Sequence, residues 1–326
     1  MRELLLRQAL NEALREEMER DPDVFILGED IIDPWGGTFR VTEGLHTRFG
    51  PERVRETPIS EAAIVGCAVG AALLGMRPVA EIMFLDFAAT AMDQIVNQAA
   101  KLRYMTGGQV SVPIVIRTAG GAGRASAAQH SQSLEAWFTH VPGLKVVMPA
   151  TPYDAKGLLK AAIRDPDPVI FIEHKMNYGT KGAVPDEDYI VPLGQADVKR
   201  VGKDVTVIAT SRQVIRALEA AEQVADSDGI DVEVVDPRTL FPLDKKTILD
   251  SIKKTNHVVI VYEAAKRSGW GAELLSEIVE DAFDYLDAPI VRVAGQNTPI
   301  PFTPVMEDFV VPQVPDIVNG IRKVLK

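Results

Sequence analysis

Cysteine is almost missing from this chain: Cys67 stands alone among 326 residues. One thiol excludes an intrachain disulfide and a multi-cysteine metal site, and it suits a reducing cytoplasm. Because Cys67 falls inside an apolar run, it reads as a small buried hydrophobe. Histidine is sparse as well. His46, His130, His140, His174 and His257 are scattered, and no pair has metal-ligand spacing. Positive charge is in deficit, since 35 Lys and Arg face 46 Asp and Glu for a net charge of −11. Free nucleic acid is a poor partner for such a surface, and a basic protein is a better one. No G-x-x-x-x-G-K-[ST] phosphate loop occurs, and there is no internal repeat or low-complexity tract. Membrane-length apolar runs are lacking too. The run from Ala62 to Met76 is too short to cross a bilayer comfortably and contains Gly66, Gly70 and Gly75. It reads as a buried helix. The N-terminal "MRELLLRQALNEALREEMERDPD" interleaves Glu and Arg with Leu, which gives an amphipathic helix and not a signal peptide. A soluble chain without a membrane partner is expected.

What is present is ordinary globular composition, 46% hydrophobic and 25% charged, in a length that fits roughly two domains. Continuously apolar runs at 24–30, 77–84, 112–119, 144–150 and 168–175 read as strands covered on both faces. Helical stretches lie between them at 62–76, 87–105, 133–140 and 151–165, the last with Thr151 as N-cap and Pro152 at the first helical position. This alternation predicts an α/β fold with a largely parallel sheet. A polar, Pro- and Gly-containing segment at 177–195 then suggests a boundary, giving domains 1–185 and 186–326. Alternation restarts beyond it, with strands at 204–210, 230–236, 257–264 and 288–295 and helices at 212–225 and 271–285.

Several residues carry possible chemistry. Gly121-Ala122-Gly123-Arg124-Ala125-Ser126 follows a strand but ends in serine, and no acidic residue closes a second strand about 20 residues later, so a dinucleotide site is disfavoured. His130 lies in the loop that follows, beyond a strand's carboxyl end, where α/β proteins usually bind ligands. A loop histidine bonded to backbone is the simpler account of it. Glu61 stands at the entrance of the 62–76 helix. There the helix dipole would favour a carboxylate, whereas desolvation beside an apolar pocket would raise its pKa. The two effects oppose each other, and both readings stay open. Gly66 and Gly70 lie one turn apart, and about 1 kcal/mol of lost helix propensity at each suggests close approach of another backbone.

"ETPISEAAIVGCAVGAALLGMRPVAEIMFLDFAATAMDQIVNQAAKLRYM", "AAQHSQSLEAWFTHVPGLKVVMPATPYDAKGLLKAAIRDPDPVIFIEHK" and "VVDPRTLFPLD" resemble the beta subunit of thiamine-diphosphate-dependent 2-oxo acid dehydrogenases. These are the decarboxylating components of the pyruvate, branched-chain 2-oxo acid and acetoin dehydrogenase complexes. The resemblance runs in order over nearly the whole chain. It implies a pyrimidine-binding, transketolase-like parallel-sheet domain followed by a transketolase C-terminal α/β domain. It gives Glu61 a role: the T-P-I-S-E glutamate hydrogen-bonds N1′ of the cofactor's aminopyrimidine and exchanges a proton there, and the thiazolium serves as the electron sink for decarboxylation. Phe87 would pack against the pyrimidine ring, with an ordinary core aromatic as the alternative. His130 matches the A-A-Q-H-S-Q histidine, which sits near substrate and assists reductive acylation of the lipoyl group. The resemblance also implies a structural potassium ion on backbone oxygens of Ile114, Ala162, Ile163, Asp165 and Asp167, although the family often has Asn at the last position.

One further absence belongs to this resemblance. The family's cofactor enzymes hold the diphosphate through magnesium on a G-D-G…N motif, and this chain has no G-D-G. It therefore carries half a cofactor site. The alpha subunit should supply magnesium and the other half in an α₂β₂ heterotetramer, with glycine-faced helices such as 62–76 at the subunit contacts. An acidic surface could dock a basic subunit-binding domain of the lipoyl acyltransferase core. Gln129, where branched-chain members typically have tyrosine, favours pyruvate or acetoin as the substrate branch; "DPWGG", "MFLDF" and "TPYDAKGLLK" lean toward acetoin-type proteins. Outside the family, an NAD-linked dehydrogenase and a noncatalytic scaffold remain as alternatives.

Overall fold

Short runs of Val, Ile and Leu become the parallel strands of two separate sheets. The computed structural model describes every residue, Met1–Lys326. By internal contacts the chain divides into two units, one of Met1–Gly120 with Trp137–Leu193, the other of Gly121–Ala136 with Gly194–Lys326.

Through residue 193 the elements are β1 (Arg2–Leu5), α1 (Leu6–Arg20), β2 (Val24–Gly28), α2 (Leu45–Phe49), β3 (Val54–Glu56), α3 (Glu61–Leu73), β4 (Arg77–Ile82), α4 (Leu102–Met105), β5 (Val115–Gly120), α5 (Glu135–Thr139), β6 (Lys145–Val147), α6 (Pro152–Arg164), β7 (Val169–His174) and β8 (Lys181–Val184). Within the first unit the strand order is β6-β7-β5-β4-β2-β3, and every one of these pairings is parallel. Strands β2, β5 and β7 are buried along their whole length, which is why they read as unbroken apolar runs. β1 and β8 form a separate antiparallel pair.

Helices α1 and α6 pack together on this unit. α6 begins as its sequence predicts: Thr151 Oγ1 accepts from the Asp154 N–H at 3.2 Å, with Pro152 in the first turn. Its lysines are buried yet paired. Lys156 Nζ donates to Glu12 at 3.0 Å and to Glu16 at 2.7 Å, and Lys160 reaches Glu16 and Asp188. Unpaired, such charges would be prohibitively costly to bury.

Three expectations fail here. Cys67 is exposed, and α3 is not a buried helix. Ile64, Val65, Ala68, Val69 and Ala72 face the unit's interior, but Ala62, Ala63, Cys67, Gly70 and Leu73 face out, as does Leu74 just beyond the helix. Because both faces are apolar, composition could not tell the covered face from the open one. A Cβ at Gly66 would stand 3.4 Å from Gln94 Oε1, whereas one at Gly70 would meet nothing within 4 Å in this chain. Nor is 87–105 one helix. It runs as a 3₁₀ turn over Leu85–Ala91, a π turn over Asp93–Ala99 and the short α4. Wide and tight turns of this kind mark departures from regular helix that often accompany functional sites.

The second unit contains β9 (Asp197–Arg200), β10 (Val205–Ala209), α7 (Arg212–Asp228), β11 (Val232–Asp236), β12 (Thr239–Phe241), α8 (Lys245–Thr255), β13 (Val258–Ala265), α9 (Trp270–Ala282), β14 (Val291–Gly295), α10 (Pro304–Val310) and α11 (Val314–Val324). Its sheet order is β14-β13-β10-β11-β9, parallel except for the antiparallel edge strand β9. α7 ends on Gly229 at φ 69°, a left-handed cap that glycine adopts without Cβ strain.

Candidate active site

Adjacent strands β4, β2 and β3 each end in a loop that carries a candidate residue, at the sheet edge where α/β folds collect ligands. Glu29 follows β2, Glu61 follows β3 at the first position of α3, and Phe87 follows β4. The structure brings Glu61 and Phe87 together through one side chain. Thr90 Oγ1 hydrogen-bonds Glu61 Oε2 at 3.2 Å and the Phe87 carbonyl at 2.8 Å. Glu61 and Phe87 are both half-buried, and Thr90 is exposed. Phe87 also meets Phe84 edge to face, with centroids 5.6 Å apart.

Glu29 is a buried carboxyl that no sequence pattern singled out. Burial pushes its pKa up, and the negative charges of Glu61, Asp30 and Glu56 add to the shift against a hydrogen bond from the Ser60 backbone. A proton is therefore retained more readily beside Glu61 than an ordinary glutamate would allow. Glu56 in turn fastens the loop after β2, accepting from the Asp30, Ile31 and Ile32 N–H groups at 2.8, 3.1 and 3.3 Å. Further inside, Arg117 is buried between Glu81, at 2.5 Å, and Glu173, at 2.8 Å, with the Tyr178 hydroxyl donating to Glu173 at 2.5 Å. Burial raises the Glu81 pKa and the Arg117 charge opposes it.

His130 belongs to the second unit, in the segment Gly121–Ala136. It is half-buried, and its N–H donates to the Ala127 carbonyl at 3.3 Å. The turn before it alternates in backbone hand: Gly121, Gly123, Ala125 and Ala127 all have positive φ, at 86°, 104°, 53° and 61°. Such alternation turns successive N–H groups inward as an anion cradle. Here the anions come from the chain itself. Glu263 Oε1 accepts from Ala122 N–H at 2.6 Å, and Glu307 accepts from Gly123 and Ala125 N–H, both at 2.9 Å. The glycine-rich turn that resembles a dinucleotide loop is thus already filled by carboxylates. Five residues beyond His130, Glu135 is buried with its pKa pushed up to about 7, first by desolvation and then by Glu263. These acids lie far apart in sequence, and only the fold gathers them. His140 is exposed.

The five proposed potassium positions fall in one neighbourhood. Val112 N–H reaches the Pro166 carbonyl at 3.2 Å, and the Ile114 carbonyl accepts from Val169 at 2.9 Å. Arg77 donates to the carbonyls of Ile163, at 3.0 Å, and Asp165, at 3.4 Å; the Ala162 carbonyl accepts from Asp165 N–H at 3.3 Å. Each of these oxygens keeps a second lone pair. The Asp167 carboxylate is paired with Arg103. No group of three or more His, Cys, Asp or Glu is placed to hold a metal ion, and no helix is long and apolar enough to cross a membrane.

Comparison with known proteins identifies the family. The transketolase pyrimidine-binding domain matches residues 2–181, and the transketolase C-terminal domain matches residues 194–317. The beta subunit of the acetoin:2,6-dichlorophenolindophenol oxidoreductase of Cupriavidus necator is 49% identical over 100% of this chain and 98% of that protein. The beta subunit of the 2-oxoisovalerate dehydrogenase of Bacillus subtilis is 51% identical over 92% of each. A pyruvate dehydrogenase beta subunit of Rhizobium meliloti is 46% identical over 99% of this chain and 70% of that protein. Among solved structures, a split-gene transketolase described as an inactive beta4 tetramer superposes with a TM-score of 0.81 at 25% identity, covering 99% of this chain and 98% of that one. With both domains matched and identities near half over essentially its full length, the chain belongs to the beta subunits of the thiamine-diphosphate-dependent 2-oxo acid dehydrogenases.

Proposed function

We propose that this chain, joined to an alpha subunit in an α₂β₂ heterotetramer, decarboxylates pyruvate or a similar 2-oxo acid and passes the acyl group to the lipoyl group of an acyltransferase. The observation that carries this reading is the Glu61–Thr90–Phe87 group at the strand ends, beside buried Glu29, whose pKa burial pushes up. These residues fit the aminopyrimidine side of thiamine diphosphate: a half-buried carboxylate with one hydrogen bond from within the chain, next to an aromatic ring. When bound, thiamine diphosphate supplies the nucleophilic carbon and the electron sink. With the cofactor bound, Glu61 would hold or release a proton at its ring nitrogen and Phe87 would pack against the ring, while Thr90 fixes one oxygen of Glu61. His130 serves the transfer to lipoyl. Of the two domains, 1–185 and 186–326, the first carries Glu61, Phe87 and His130 alike.

Nothing in this chain fits the diphosphate and its magnesium, for there is no G-D-G and no acidic metal cluster. We assign both to the alpha subunit. The open apolar face of α3 supports a subunit contact there. A potassium ion on Ile114, Ala162, Ile163, Asp165 and Asp167 would act structurally through backbone oxygens. The net charge of −11 supports docking of a basic acyltransferase domain, and the unpaired thiol suits cytoplasmic work. Relatives named for acetoin and 2-oxoisovalerate keep those substrates as alternatives.

Co-expression with the alpha subunit, followed by assay on pyruvate, acetoin and branched 2-oxo acids, tests the reading and fixes the substrate. Glu61→Gln should cut turnover about 10²–10⁴-fold, as loss of a proton-transfer group does. Unchanged turnover would indicate a noncatalytic scaffold. Tight NAD binding by the chain would revive the nicotinamide alternative.

A further inference from the structure

Glu307 lies on α10, 177 positions after His130, and it is 2% exposed. A buried carboxylate needs strong partners. Its two oxygens take the N–H groups of Gly123 and Ala125, one each at 2.9 Å. Glu263, on β13, takes the N–H between Gly121 and Gly123. The Gly121 N–H itself closes onto the Gln132 carbonyl at 3.0 Å, just past His130. The stretch from Gly121 to Gln132 is therefore a loop pinned at its base by its own backbone and along one limb by two carboxylates. It has no regular secondary structure, and Ala125 and Ala127 hold left-handed φ angles that side chains adopt at a cost. Such a backbone persists only when its surroundings over-determine it.

We propose that Glu307 is the positioning residue of the His130 loop: its carboxylate fills the N–H cradle at Gly123 and Ala125 and so fixes where the imidazole is presented. Glu263 supports the same cradle through Ala122. The cradle is an internal anchor rather than a ligand site, since both N–H groups it offers are met by Glu307. The assignment rests on the reading that His130 serves the lipoyl transfer. It goes beyond that reading by naming what holds the histidine in place, in a helix near the other end of the sequence.

The test uses the heterotetramer reconstituted with the alpha subunit. Glu307→Gln keeps the shape and one carbonyl oxygen but turns an amide N–H₂ against one of the two donors. Two readouts are taken. Hydrogen exchange of residues 121–132, followed by mass spectrometry, should accelerate about tenfold or more, while the strands β10 and β13 exchange as in the parent. Reductive acylation of a free lipoyl domain should fall about 10- to 100-fold, the range expected from slight misplacement of a reacting group, and should fall more than oxidation of the same 2-oxo acid by a dye acceptor. Glu307→Asp, which keeps the charge, should recover part of both. Unchanged exchange in 121–132 overturns the anchor. Faster exchange with unchanged acylation, or equal losses with lipoyl and dye, overturns the positioning role. His130→Ala separates the two claims. If that variant acylates normally, the reading of His130 fails, while the exchange result still decides whether Glu307 holds the loop.

Discussion

Glu135 shows what a single buried acid does to the whole stability curve. From the ordinary glutamate value of 4.5 its pKa rises to about 7 in the fold. The native state therefore keeps a proton that the unfolded chain has already released, and folding is favoured at low pH relative to high. Stability falls as pH climbs from about 4.5 through about 7, and the full penalty, on the order of 3 kcal/mol at 1.36 kcal/mol per unit, is present above that window. The charged and titratable neighbours are Glu263, which raises the shift, and Tyr262, whose own pKa is raised chiefly by burial. Glu135→Gln should flatten this slope: the urea midpoint of the parent should drop between pH 5.5 and pH 8, and that of the variant should hold. A parallel drop in both would disprove the assignment to Glu135. At this scale the sequence was partly legible. Glu61, Phe87 and His130 stood in recognisable strings, but Glu29, Glu263 and Glu307 are ordinary glutamates until folding sets their neighbours.

Among the elements, α3 is one whose sequence deceived. Its residues are apolar all round, and such a helix is expected to be buried. In the single chain one face is open, with Cys67, Gly70 and Leu73 on it. The resolution is that burial is expected to come from another subunit, which a sequence expresses in the same residues as an internal core. Cys67 is a reporter for this. A maleimide should label it readily in the isolated beta chain and at least about tenfold more slowly in the heterotetramer, as for a contact that excludes solvent. Equal labelling rates would remove α3 from the interface. The parallel strands and α6, by contrast, were legible because each rests on local rules: continuous apolar runs for strands, and Thr151 with Pro152 for the helix start. The 87–105 stretch was not, because nothing in its composition signals where a 3₁₀ turn gives way to a π turn.

For the whole molecule, the proposed sharing of the cofactor site with an alpha subunit has a thermodynamic signature. A ligand stabilises the state that binds it by about 2.7 kcal/mol at a concentration one hundred times its Kd. Thiamine diphosphate with magnesium should raise the thermal midpoint of the reconstituted heterotetramer and leave that of the isolated beta chain where it was. A comparable rise in the isolated chain would mean that the diphosphate is held here after all. The order of the two domains was visible from the restart of strand–helix alternation. The assignment of 121–136 to the second unit was not, since no composition change marks either end of it.

That assignment has a consequence for how the chain is made. The polypeptide changes unit at 120/121, again at 136/137 and a third time at 193/194. The N–H groups of Ala122, Gly123 and Ala125 emerge from the ribosome early, but their acceptors on Glu263 and Glu307 are 141, 184 and 182 residues away. During synthesis the segment bearing His130 has only water for these N–H groups until the helix carrying Glu307 has been translated. Contacts of such separation form late. A nascent or C-terminally clipped chain would thus carry a finished first sheet with its His130 segment untied, so that the fidelity of the chain's end governs a residue near its middle.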